Sequence, residues 1–157
     1  MIKEKFWSMG DDFDILDAAG QPAFHVDGKA FSWGDKLSFQ DMYGQELAFI
    51  SQKMFSFKPR YEIHRGGELF AEVTKEFSWF NQEFTLDVPG PNDYSINGKF
   101  WAHAYEFFRG GNPVAHVSKT WAWTDCYGVD IIDGEDDIAI LCAAIVIDQV
   151  LHDEKDD

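Results

Sequence analysis

KAFSW, residues 29–33, is one of six Lys-x-aromatic steps along the chain, and their recurrence decides the fold. The others are KFWSM from Lys5, KMFSF from Lys53, KEFSW from Lys75, KFWAH from Lys99 and KTWAW from Lys119, spaced 20 to 24 residues apart. A period of that size marks one supersecondary unit written repeatedly. The copies match beyond the motif. DAAGQ at 17–21 parallels DMYGQ at 41–45, and YEIHRGG at 61–67 parallels YEFFRGG at 105–111.

Within a unit, apolar residues alternate, as in Phe13 and Ile15, Ala71 and Val73, or Phe77 and Trp79. A period of two marks strands with one buried face. Between such runs stand DAAG, DMYG, RGG, DVPGPND and a second RGG, turn sequences whose glycines supply positive φ. Each unit is therefore expected to be a β-hairpin with the aromatic motif on its return strand. Six hairpins predict a mainly β chain, a closed antiparallel barrel of about twelve strands, because closure removes edges that invite aggregation. Lys and the two aromatics fall at i, i+2 and i+4 on one face. The preferred reading packs the aromatics and lays the lysine stem along them. The alternative is a ring of lysines around an anionic ligand.

After the last motif the texture changes. DGEDD precedes the apolar IAILCAAIVIDQVL, and the chain closes on HDEKDD. Length and the Cys142-Ala143-Ala144 step favour a helix over about 134–151, with Asp133 as N-cap and Glu135, Asp136 and Asp137 in a first turn that favours acids. Residues 138–147 are apolar on every side, so this helix must be surrounded. A twelve-strand barrel is too wide for side chains alone to fill. The two requirements are met by threading the helix through the barrel, one domain over residues 1–152 with 153–157 as an acidic tail.

The chain is 157 residues long, 45% hydrophobic, and carries a formal net charge of −15. That charge argues against general nucleic-acid binding and against docking on an anionic membrane, since long-range repulsion opposes both. Cys126 and Cys142 have no CxxC spacing, MIKEKFWSMG contains no apolar signal run, and the longest apolar run is well short of a bilayer span. A cytoplasmic setting and no transmembrane segment are expected.

No GxSxG elbow, HExxH, phosphate loop or Rossmann glycine pattern occurs, so no catalytic residue and no cofactor is predicted. The histidines at 25, 64 and 116 read as half-exposed strand residues, and the RGG steps as hairpin tips. FSFKPRYEIHR, residues 55–65, is the densest basic stretch, and Lys58, Arg60 and Arg65 are the candidate anion-binding residues. The carboxylates after Trp123 offer oxygen ligands for calcium without EF-hand spacing, with Asp130, Asp133 and Asp137 as the candidate ligands. Helix capping by solvated acids is the preferred reading of that segment.

Nearly the whole chain resembles a known family. The residues that carry the likeness are KEKFWSMGDDFDI (3–15), VDGKAFSWGDKLSFQD (26–41), YEIHRGGELFAEV (61–73), FTLDVPGPNDYSINGKFW (84–101) and TDCYGVDIIDGEDDIAILCAAIVID (124–148). They resemble the LURP-one-related family in its bacterial form, within the Tubby C-terminal-like fold shared with tubby proteins and phospholipid scramblases. The resemblance implies a barrel around a central helix and no enzyme activity. It also implies lipid association, with DCYGVDIIDGEDD (125–137) standing where scramblases carry a segment proposed to bind calcium. The expected function is a non-enzymatic binding or scaffold module whose ligand is an anionic phospholipid head group or a protein partner. The alternative is a peripheral, calcium-responsive lipid-handling protein resembling phospholipid scramblase.

Overall fold

The computed structural model describes residues 2–8, 12–28, 36–53, 57–77, 82–90, 93–120 and 126–156. Among the described residues, twelve strands precede one α-helix: β1 (Ile2–Ser8), β2 (Asp12–Leu16), β3 (Pro22–Asp27), β4 (Lys36–Asp41), β5 (Glu46–Gln52), β6 (Arg60–Arg65), β7 (Glu68–Phe77), β8 (Gln82–Asp87), β9 (Tyr94–Lys99), β10 (Ala104–Arg109), β11 (Asn112–Thr120), β12 (Cys126–Ile132) and α1 (Asp137–Asp156). Each strand from β2 to β12 pairs antiparallel with its chain neighbours, giving one large sheet curled around α1. The first strand returns to the last, from Ile2↔Ile132 to Ser8↔Cys126. On its other side β1 meets β2, among the described residues, at the single pair Phe6↔Leu16. Of the expected closed barrel, what is found is a large, continuous antiparallel sheet with a helix against its inner face.

The turn chemistry read from sequence is what shapes the hairpins. Asp17 Oδ1 accepts from the backbone N–H of Ala19 and Gln21, each at 2.9 Å, and Asp41 Oδ1 does the same for Tyr43 and Gln45. In both RGG turns the two glycines are the whole loop, between Arg65↔Glu68 and Arg109↔Asn112, with φ of 61° and 81° in the first. Two consecutive positive φ values are the requirement of a type I′ turn, which only glycine meets without strain.

Four hairpins also share a feature the alternation did not announce. The register slips between Ile15/Leu16, Phe39/Gln40, Ile63/His64 and Phe107/Phe108, always just before the turn. Each slip leaves one extra residue on the return strand, Ala23, Leu47, Phe70 or Val114. Such bulges increase local twist, which a sheet needs to curl.

Alternate residues turn inward and are buried, among them Ile15, Phe39, Ile63, Leu86, Ile96, Phe107, Val117 and Ile131. Opposite them every residue of α1 from Ala139 to Asp148 is buried. The one carboxylate in that run, on Asp148, accepts from Tyr105 Oη at 3.1 Å, a hydroxyl that also lies 3.2 Å from the Ala144 carbonyl oxygen. Gly98 faces Tyr105 across the β9/β10 ladder, where a Cβ would lie 2.5 Å from Tyr105 Cα. Burial pushes the Cys142 thiol far up from its ordinary value, leaving it unreactive.

The helix starts later and ends later than expected. Gly134, at φ +94°, turns the chain sharply after β12, and Glu135 N–H closes that turn on the Ile132 carbonyl at 3.3 Å. Asp136 then caps the helix, its Oδ1 accepting from Ala139 N–H at 3.2 Å and its carbonyl from Ile140 N–H at 3.1 Å. Asp133, the expected N-cap, stands exposed in the turn. At the other terminus the helix runs on through the acidic residues to Asp156.

Replacing Ile140 with Asp puts a carboxylate among fully buried apolar side chains and is expected to abolish the cooperative thermal transition. Ile140→Val deletes one methyl and should cost about 0.5–1.5 kcal/mol in urea unfolding. An Ile140→Asp protein that melts like the parent would refute the buried-helix arrangement.

Candidate functional site

The two ends of the sheet differ in chemistry because the repeat writes them differently. At one end lie the Asp-Gly and Arg-Gly-Gly turns and the start of α1. The arginines of both RGG turns reach the acids just before the helix. Arg109 Nη2 donates to Glu135 Oε1 at 2.8 Å, while Tyr94 Oη donates to Glu135 Oε2 at 2.7 Å. The Glu135 side chain is only 7% exposed, so these donors replace the water it has lost. Arg109 also lies over the Tyr94 ring, 5.6 Å from its centroid. Burial, and then the bond to Glu135, raises the Tyr94 phenol far above its ordinary pKa. Arg65 Nη1 donates to Asp136 Oδ2 at 2.6 Å and stacks 4.7 Å from the Phe70 centroid, so the capping carboxylate serves helix and wall together. Phe70 is one of the bulge residues.

At the opposite end lie the Lys-x-aromatic steps. Lys53 follows β5, Lys75 lies near the end of β7, Lys99 ends β9 and Lys119 lies near the end of β11. Lys5 sits within β1, and Lys29 lies outside the described residues. The lysines are not equivalent. Lys53 and Lys99 are exposed, whereas Lys75 is buried on the inner face beside Phe84, and that desolvation lowers its pKa. A single lysine ring around one anion is therefore not what the motif builds. Beside these lysines two aromatics stand in solvent: Phe57, 104% exposed, and Trp101, 78% exposed, on a short 3-10 turn between β9 and β10.

The candidate anion site is spread along the wall. Lys58 Nζ pairs with Glu76 Oε2, and Arg60 Nε lies 3.0 Å from Glu72 Oε1. Arg60 opens β6 and Arg65 closes it, which separates them by roughly 16 Å at about 3.3 Å per residue. Lys58 and Arg60 belong to the aromatic end, and Arg65 to the helix entrance. The candidate calcium ligands are similarly apart in role. Asp130 is on β12 opposite His116, Asp133 is in the turn and Asp137 opens the helix. Among the described residues no group of three or more His, Cys, Asp or Glu is arranged to hold a metal ion. Asp125 lies outside the described residues. Of the histidines, His25 Nδ1 is 2.7 Å from Asp14 Oδ1 across the β2/β3 ladder, and His103 is buried in a left-handed conformation at φ 53°.

The Glu135 and Asp136 clamp was not predicted, although the signal was present in the paired YExxRGG copies and the two acids ahead of the helix. No helix among the described residues is long and apolar enough to cross a membrane.

Comparison with known proteins is consistent in extent and fold. A family model described as LURP-one-related matches residues 1–148. The uncharacterized protein YxjI of Bacillus subtilis (strain 168) is 38% identical over 157 residues, covering 99% of this chain and 95% of that protein. A crystal structure of an Arabidopsis thaliana protein superposes with a TM-score of 0.74 at 16% identity, covering 95% of this chain and 91% of that one, a likeness of fold alone.

The clamp has a measurable energy. Arg109→Ala leaves the Glu135 carboxylate buried with Tyr94 as its remaining donor and should cost about 1–3 kcal/mol in urea unfolding. Arg109→Ala/Glu135→Gln should recover part of that loss, giving a coupling of about 0.5–3 kcal/mol in a double-mutant cycle. Strict additivity would show that the contact does not hold the helix entrance.

Proposed function

The chain belongs to the LURP-one-related family, and we propose that it acts as a non-enzymatic, cytoplasmic binding module of the Tubby C-terminal-like type, its sheet closed as a barrel at the β1/β2 seam. The observation that supports this reading is the helix inside the sheet. With residues 139–148 all buried there, the inner space is taken, and a ligand must engage the outer wall or an end.

The aromatic end is the better-equipped surface. Exposed Trp and Phe beside long basic side chains are the composition of protein-binding hot spots; Phe57 lies on the connection that follows Lys53, and Trp101 on the turn that follows Lys99. Choice between the two ligand classes follows from charge. By length, at about 1.5 Å per residue, α1 spans roughly 30 Å, so its acidic last turns lie at this same end. Glu76 and Glu83 add further negative charge there, so an anionic bilayer meets repulsion as well as lysines. A protein partner suits a mixed-charge aromatic surface better than a phospholipid head group does.

Liposome co-sedimentation, with and without Ca²⁺, separates the two. Wild-type protein is expected to stay in the supernatant with phosphatidylserine or phosphoinositide vesicles, and to retain a stoichiometric protein partner that Phe57→Ala/Trp101→Ala loses. Sedimentation with anionic vesicles that the double variant abolishes would make the ligand a lipid, and a strict need for Ca²⁺ would favour the scramblase-like alternative.

A further inference from the structure

A second surface, independent of the aromatic end, lies on the outer wall where β10, β11 and β12 run side by side. The pairs Glu106↔His116 and His116↔Asp130 set three outward side chains in a row, with neighbouring Cβ atoms about 5 Å apart. Above that row the wall dips. The slip between Phe107 and Phe108 makes Val114 an extra, buried residue, while Pro113, which has no N–H to offer the ladder, stays exposed. Ile132, 46% exposed at the end of β12, forms the other rim. These residues enclose an open groove of about 260 Å³.

Its chemistry is specific. The floor and rim are apolar, two carboxylates stand on either side of an imidazole, and no Lys or Arg lines it among the described residues. The volume falls below the ~300–1,000 Å³ usual for small-molecule sites, which suits one long side chain rather than a cofactor. The described His and carboxylates are not arranged for a metal ion, so the complementary cation is an organic one. An alkyl stem for Val114, Pro113 and Ile132, ending in a broad, weakly hydrated cation for Glu106 and Asp130, describes arginine better than lysine.

We propose that this groove receives an arginine side chain presented by a basic protein partner. The net charge of −15 draws such a partner in from a distance, and the groove selects where it seats. Arginine is among the residues most enriched at the energetic centres of interfaces, and a mixed apolar and anionic slot is what anchors one.

The probe is acetyl-Val-Arg-Val-amide, titrated into ¹⁵N-labelled full-length protein and followed by amide chemical shifts. Saturable shifts are expected at residues 106, 113–116 and 130–132. Glu106→Gln/Asp130→Asn should weaken binding by roughly tenfold, the scale of a lost charged contact. Glu62→Gln/Glu83→Gln, which removes the same charge from β6 and β8, should change it by less than about twofold. Shifts scattered over the acidic surface, equal losses in both double variants, or equal binding of the norleucine-substituted peptide would each overturn the assignment.

Discussion

A sheet of twelve strands has more interior than its own side chains can fill, and the protein answers this with a helix that is apolar all round. Much of the rest follows from that demand. The strands must alternate so that one face is apolar, the hairpins must curl, and the helix must enter from one end. An all-apolar helix carries no stripe to fix its rotation, so polar contacts have to do it. Arg109 and Tyr94 on Glu135, Arg65 on Asp136, and Tyr105 on Asp148 supply such contacts at entrance and middle. Apolar burial sets the position of α1, and these few directional bonds select its register.

Using the interior for packing leaves chemistry to the outside. The buried polar side chains Thr74, Lys75, His103 and Asp148 lie under the surface rather than along an open cleft. The outer wall and the two ends carry everything a partner could touch, and the repeat has made those ends unlike. Asp and Gly turns with the two arginines mark one, lysines and aromatics the other. That asymmetry follows from the unit itself, since each hairpin places its turn at one end and its motif at the other.

Much of this architecture was legible in the sequence. The 20–24-residue period, the glycine turns and the acid-capped apolar run led to hairpins, antiparallel order and a buried helix. What escaped was non-local or slight. DGEDD offers several acids to cap the helix, and the choice of Asp136 over Asp133 is made by the +94° φ of Gly134, which a linear reading does not weigh. One-residue bulges vanish in hairpins this short, because the alternation resumes after the turn in either register. Lys58, Arg60 and Arg65 looked like a patch because they are close in the chain, yet an extended strand carries Arg65 to the far end of the wall. Arg65 meets Asp136 across 71 residues and Arg109 meets Glu135 across 26, partners that sequence proximity cannot suggest.

The position of the helix after all the strands has a consequence for biosynthesis. Each hairpin is local and forms quickly as it leaves the ribosome, since its loop closure is short. The residues that fill the inside, 139–148, are made after every strand, and β1 waits for β12 before it gains its long ladder. Until then the nascent sheet presents an open apolar face with an unpaired first strand, the state in which β-rich chains associate with one another. Completion therefore waits on α1. A chain stopped between β12 and α1 has made every strand and still lacks its core, which ties folding of the sheet to synthesis of the helix and to whatever shelters the strands meanwhile.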